Sequence, residues 1–415
     1  MINYLAKLKK FSFYEWVLFL FPLSFILGPT YVNIFLILIS FLFLYEIIKK
    51  KLFYKINIPW VNFYIIFIFY NFCRGFFANN YIWAVQSSFS QIRFLFFTLF
   101  IYLFIKKKQN IEVMMVGWLV LLLFICFNGL YTFFFLKDIF GFPANIGWPA
   151  NTIRLSLPFD KRLVVGTLIF YLSVPIISYY FIKLNNFSFL KKILVIFTYF
   201  LLASIVILSG ERLAMFSFIG ASFIIFIFFL DVKKKFIFIF LTIFILIVTY
   251  SKIDQFKLRL NDSINIIFNF YDSSYGRLYE SSYLLFKKNY FFGVGFKNYR
   301  VSCDLQTDPR PESVFQFCST HPHNFYLELL VESGLIGFII FTISFSYLFI
   351  YLLKEIKSNK FDYKKYFPII LGNLLIIAMY LWPLKTSGSF FTTWNGSFFW
   401  FSLGIILLML RKEKF

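Results

Sequence analysis

The stretch from Lys191 to Lys235, KKILVIFTYFLLASIVILSGERLAMFSFIGASFIIFIFFLDVKKK, sets two apolar runs back to back. Each run is close to the roughly 20 residues that a helix needs to cross about 30 Å of hydrocarbon. Lysines close both outer ends, and Ser209-Gly210-Glu211-Arg212 supplies the only polar turn between them. The stretch reads as a helical hairpin built for a bilayer, basic on one side and tightly turned on the other.

The same pattern recurs along the chain. About twelve spans are expected, near 12–28, 30–48, 58–76, 88–105, 112–136, 163–183, 190–208, 212–230, 235–250, 323–352, 366–384 and 393–410. The predicted fold class is therefore an all-α integral membrane protein, with one large loop between the ninth and tenth spans. A chain of 415 residues that is 60% hydrophobic and 14% charged cannot bury that apolar surface in one soluble core. Strands of a closed barrel would alternate every second residue, and these runs do not. The first run, after Lys7, Lys9 and Lys10, lacks a small-residue cleavage site and reads as a signal anchor.

Net charge is +22, which in a soluble protein would point to nucleic acid. Here the lysines cluster between apolar runs, and counting connections alternately puts every cluster on one face: Lys7/Lys9/Lys10, Lys49–Lys51 with Lys55, Lys106–Lys108, Lys183/Lys191/Lys192, Lys233–Lys235, Lys354–Lys365 and Arg411/Lys412/Lys414. By the positive-inside rule that face is cytoplasmic, with both termini, and nucleic acid is not an expected partner. The 67 phenylalanines reflect a general bias and carry no argument for a cofactor or base-stacking site. Long connections fall on the opposite face, around 137–162 and 251–322, with a shorter polar one near 385–392. No repeat or separate soluble domain interrupts what reads as a single polytopic domain, 1–415. Function is expected on the outer face, where loops have length, Gly, Pro, Asp and Arg.

Both histidines of the chain stand in His321-Pro322-His323-Asn324, at the outer mouth of a span. Histidine can take a proton from a sugar hydroxyl and release it near neutral pH. An interfacial histidine bonded to a carbonyl is the structural alternative, but Asn324 beside it, and Glu328 and Glu332 further along the same helix, favour a site. Glu332 reads as a brace, in Glu332-Ser333-Gly334-Leu335-Ile336-Gly337, about two turns into the helix if that helix is continuous. Arg212 in the tight hairpin and Arg277 after Gly276, at the start of a helix expected from about Tyr275 to Lys288 and capped by Ser273-Ser274, can face a diphosphate, since a guanidinium offers forked donors and a helix N-terminus a favourable dipole. Snorkelling to the membrane surface is the other reading of both. Arg93 lies inside the fourth span beside Gln91 and Ser90, where it needs a polar partner. Arg154 and Arg74 are further outer candidates. Cys303 and Cys318 share the outer loop, and an oxidising periplasm would let them pair, closing about 15 residues at a gain on the order of 3 kcal/mol. No cofactor is expected: GxxxxGK, HExxH, CxxC and histidine clusters at metal spacing are all missing from the sequence.

Taken together, Ser209–Arg212, Gly276-Arg277, Gly293-Val294-Gly295-Phe296-Lys297-Asn298-Tyr299 and His321–Asn324 through to Gly337 resemble the O-antigen ligase and polymerase superfamily of bacterial polytopic glycan transferases. The resemblance covers about 200–340. It implies metal-independent, inverting transfer of a glycan from an undecaprenyl diphosphate carrier, in the inner membrane with the site on the periplasmic side. It assigns His323 as base and Arg212 and Arg277 to the leaving diphosphate; His321, Asn324, Glu332, Arg93 and Arg154 remain further substrate-binding candidates on the reading of the residues themselves. A ligase would use a sugar hydroxyl of lipid A-core as acceptor, a polymerase a second lipid-linked glycan, and a related enzyme a protein. The competing class is a transporter or flippase of lipid-linked sugar, whose ionisable groups would collect near the bilayer midplane.

Overall fold

The computed structural model describes residues 2–147, 152–159, 162–306, 318–357, 363–386 and 388–411. It is nearly all helix: α1 (Ile2–Leu8), α2 (Phe13–Leu27), α3 (Pro29–Lys49), α4 (Pro59–Gly75), α5 (Tyr81–Ser90), α6 (Ile92–Phe104), α7 (Gln109–Phe135), α8 (Val165–Ile182), α9 (Phe189–Leu208), α10 (Arg212–Phe229), α11 (Val232–Lys252), α12 (Asp254–Phe268), α13 (Ser274–Lys288), α14 (Tyr299–Asp304), α15 (Phe325–Lys357), α16 (Tyr363–Tyr380) and α17 (Thr393–Leu410). A small hairpin, β1 (Asn145–Gly147) and β2 (Thr152–Arg154), pairs antiparallel between α7 and α8.

Helices occupy each of the twelve expected intervals, although α5 and α6 divide one of them at Gln91. Among the described residues, eight helices are long and apolar enough to cross a bilayer, or nine if α11 and α12, bent by 104° at their junction, count as one broken span. α2 and the Lys365–Tyr380 part of α16 are apolar but shorter. Large apolar side chains stand exposed along these helices, among them Phe41, Phe69, Phe197, Phe236 and Phe349, and α11 buries only Phe238. Lipid is the solvent that suits such surfaces.

Contacts divide the chain into two compact units. The first comprises Met1–Phe35, Leu103–Ile267 and Asp362–Met379. Its centre is α8, buried on nearly every face, where Gly372 lets α16 approach so closely that a Cβ would lie 2.4 Å from the Cα of Pro175. The Ser209–Arg212 hairpin joins α9 to α10, and the turn is possible because Gly210 takes a φ of 75°.

The second unit comprises Leu36–Tyr102, Phe268–Phe361 and Tyr380–Phe415. Within it, α13 and α14 form a small core of their own, from Leu278, Leu285, Phe286, Val294, Tyr299 and Cys303, closed against Val331 of α15. Cys303 is disulfide-bonded to Cys318, with Cα atoms 5.8 Å apart. α15 is broken at Gly334, whose φ of 66° and ψ of −174° leave the helical region. The connector after α13 occupies the break: Val294 N donates to Val331 O and Gly295 N to Glu332 O, both at 2.9 Å, while Leu335 N donates to Tyr290 O and Ile336 N to Phe291 O. Backbone groups freed by the break are thus satisfied by an irregular segment of turns, as buried backbone donors and acceptors require.

Candidate functional site

In the second unit, the residues around the two histidines are set by the start of α15. Asn324 is its cap, with Oδ1 accepting from Tyr326 N at 3.0 Å and Leu327 N at 3.1 Å. Its other side-chain group, Nδ2, donates to Pro383 O at 2.8 Å, so Asn324 is a structural tie as well as a neighbour of the histidines. His323 precedes it in a left-handed conformation, φ 55°, which turns the imidazole away from the helix. The His323 ring lies edge-on to Tyr275, with centroids 6.0 Å apart, and Nε2 is 3.4 Å from Ser319 Oγ. His321 stacks obliquely on it, centroids 4.1 Å apart, and contacts Thr320 Oγ1 through Nδ1 at 2.7 Å. The two imidazoles therefore form one half-buried pair.

Tyr275 brings the first turn of α13 to this pair. Ser273 caps that helix by accepting from Gly276 N at 3.2 Å. Gly276 has no room for a side chain, since a Cβ would lie 2.1 Å from Phe270 O. Arg277 follows it, exposed on the same first turn as Tyr275. Through Tyr275, the N-terminal turn of α13 is thereby held beside the imidazole pair, though the two lie far apart in sequence.

Beneath the pair runs a buried polar network that sequence reading only partly anticipates. Glu332 is buried and accepts from Lys297 N at 2.9 Å, and Lys297 Nζ pairs with Glu328 at 2.6 Å. Glu328 also accepts from Ser389 Oγ and from Phe390 N, and lies within electrostatic reach of His321. Lys297 has a φ of 58°, so this backbone conformation delivers both its N–H and its ammonium to the two acids. Glu332 is a brace in this arrangement, and the helix carrying it breaks two residues later. On the 381–392 connection, Lys385 is buried with its ammonium 4.5 Å from the centre of the Tyr380 ring, and burial pushes its pKa down to about 7. Nothing in its local sequence marks Lys385 as an inward residue.

The first unit holds a separate arginine cluster. Arg212 is ion-paired with Asp262 of α12. Arg259, one turn earlier on α12, is buried; its Nη1 donates to Gly210 O at 3.0 Å and its Nη2 to Thr152 Oγ1. Arg154 stands within electrostatic reach of Glu211 and Arg259. Glu211 turns back to accept from Gly166 N at 2.6 Å and from the backbone and hydroxyl of Thr167. Burial pushes the pKa of Glu211 up to about 7, against the pull of those hydrogen bonds and of Arg154. The structure thus brings Arg154 and Arg212 together and adds Arg259, which sequence reading missed; the Arg259-x-x-Asp262 spacing on an amphipathic helix was the available signal.

Two further candidates, Arg93 and Arg74, have local partners. Arg93 Nη2 donates to Thr393 Oγ1 at 3.1 Å and its guanidinium lies 4.9 Å from the centre of the Phe94 ring. Arg74 donates to Gly293 O at 2.7 Å and to Phe292 O, bracing the connector that fills the α15 break. Among the described residues, no group of three or more His, Cys, Asp or Glu side chains is gathered to hold a metal ion.

Residues 197–342 match the family model described as O-antigen ligase. The match runs from α9 through the arginine turn, α13 and the histidine pair to beyond the α15 break. The matched region, about a third of the chain, is an O-antigen ligase-family region, and the apolar helices around it are those of a multi-pass membrane protein. No curated protein matches the chain.

Proposed function

We propose that this protein transfers a glycan from an undecaprenyl diphosphate carrier to a sugar hydroxyl of lipid A-core, as an O-antigen ligase does. The observation that carries the reading is His323: an imidazole in a left-handed turn at the mouth of a membrane helix, edge-on to Tyr275 of the Arg277 helix, inside the family-matched region. In the reaction, His323 takes the acceptor hydroxyl proton as that oxygen attacks the anomeric carbon. The anomeric bond to the carrier breaks, and the diphosphate leaves with the electron pair. The role of stabilising the charge that develops there is the one the family resemblance gives to Arg212 and Arg277, with Arg154, Arg93 and His321 as further candidate contacts. Attack opposite the leaving group inverts the anomeric centre. Because the donor arrives activated, a base and positive charge are the chemistry required, and no metal step is invoked.

The lysine alternation supports an inner-membrane topology of about twelve spans, with both termini cytoplasmic and the 251–322 loop periplasmic. The experiment is a lipopolysaccharide gel of a deletion strain complemented with wild type or His323→Ala. Bare core with polymer stranded on the carrier is the expected result for the variant. Core capped by a single repeat would replace ligase with polymerase, and an unchanged profile would overturn both.

A further inference from the structure

α12 reaches two separate segments of the first unit from one face. Gln255 Oε1 accepts from Ile153 N of β2 at 3.0 Å. Arg259, four residues on, bonds Thr152 Oγ1 with one guanidinium arm and Gly210 O with the other. Asp262, a turn further, pairs with Arg212. Positions i, i+4 and i+7 line one stripe of a helix, so the three side chains act from a single edge. Gly210 completes the fit, because besides its positive φ a Cβ there would lie 2.9 Å from the Arg259 guanidinium.

Among the described residues, Arg154, Arg212 and Arg259 outnumber the carboxylates beside them: Asp262 is engaged by Arg212, and Glu211 is held by Gly166 and Thr167. The Nε groups of Arg154 and Arg259 are buried without a hydrogen-bond partner. A buried excess of guanidinium is costly until an anion compensates it.

We propose that Arg259 is a positioning residue for anion recognition: by clamping the Gly210–Arg212 turn to Thr152–Arg154, it presents Arg154 and Arg212 together to one diphosphate. The inference rests on the donor reading given above. Arg259 itself stays on backbone and hydroxyl partners, and its contribution is the geometry of the other two.

The test uses the full chain in nanodiscs, with two readouts: the thermal shift produced by inorganic pyrophosphate, and KM and kcat for a polyprenyl diphosphate-linked glycan. Arg259→Lys keeps the charge but not the fork; it should raise donor KM about tenfold with kcat within about twofold, and abolish the pyrophosphate shift. Lys257→Gln, an exposed lysine on the same helix, should change neither. If Arg259→Lys does not fold, Thr152→Val and Thr152→Ser decide: the clamp requires KM to rise in the first and recover in the second. Unchanged KM and pyrophosphate shift in folded Arg259→Lys, or equal KM in the two Thr152 variants, would overturn it. A pyrophosphate shift that needs Arg259, in a protein that moves no lipid-linked glycan, would instead sink the transferase reading and leave the clamp standing.

Discussion

Gly293 and Gly334 are made for each other: a Cβ on Gly334 would lie 2.5 Å from Gly293 N, and a Cβ on Gly293 would lie 2.5 Å from Gly334 N. Both have positive φ, 68° and 66°. The connector after α13 and the break in α15 touch backbone to backbone at this point. Alanine at either position is expected to destabilise the protein by about 2 kcal/mol or more, through strained φ and a clash that no side chain can relieve. Gly147, with nothing within 4 Å of its Cβ position, should accept alanine. Thermal unfolding of detergent-purified variants, followed by size-exclusion fluorescence, reads the difference.

Lys297 and Glu328 should behave as a coupled buried pair. Removing one partner leaves an uncompensated buried charge, and Lys297→Met is expected to cost about 3 to 5 kcal/mol. Lys297→Met with Glu328→Gln together should cost less than the sum of the two. An additive double-mutant cycle would mean that the pair carries no coupling.

His323 and His321 are expected to separate in activity. Asparagine tolerates the left-handed turn at 323, so His323→Asn should fold normally while transfer falls by about 10²- to 10⁴-fold, the usual loss of a general base. His321→Asn should cost less than about tenfold if only His323 takes the proton. Equal losses in the two variants would assign the base to the imidazole pair.

Donor binding should weaken with rising pH through Glu211. Its pKa is raised to about 7, so near pH 6 the carboxyl is mostly neutral and the arginine cluster mostly uncompensated. Near pH 8 it is charged and offsets Arg154, its electrostatic neighbour, while the diphosphate charge stays constant. The expected result is a donor KM several-fold lower at pH 6 than at pH 8, about the scale of one nearby charge at the surface. Glu211→Gln should flatten the profile, and a variant that retains the full slope would place the titrating group elsewhere.

The Cys303–Cys318 bridge ties two cysteines 15 residues apart, Cys303 lying in the small α13–α14 core. Replacing both cysteines by serine should lower stability by about 3 kcal/mol. The melting temperature of oxidised wild type, reduced wild type and the double serine variant measures it, and a serine variant as stable as oxidised wild type would count against the bridge.

Much of this architecture is legible in residue order because bilayer physics is local. Run length and lysine flanks place helices at the twelve intervals, although among the described residues only eight are long and apolar enough to cross a bilayer, and Ser273-Ser274 marks the start of α13 within a residue. Long-range devices are not legible in the same way. Gly334 stands between Glu332-Ser333 and a long apolar run, with no proline to mark a break, and its partner Gly293 belongs to another part of the chain. Arg259 looks like an ordinary charged residue on an amphipathic helix until Thr152 and Gly210 are brought to it. Lys297 is visible in its motif, but its reach to Glu328 and Glu332 depends on a left-handed backbone that its side chain does not announce.

The break at Gly334 also divides labour along α15. The part after it, Leu335–Lys357, has roughly 23 residues at about 1.5 Å each, some 35 Å, and covers the hydrocarbon thickness unaided. Phe325–Ser333, which follows the histidine pair and contains Glu328 and Glu332, is then free of the anchoring duty and is fixed instead to the α13–α14 core and the 381–392 connection. A lipid-embedded rod can tilt to suit bilayers of different thickness. With a joint at Gly334, that adjustment need not be transmitted to the imidazoles.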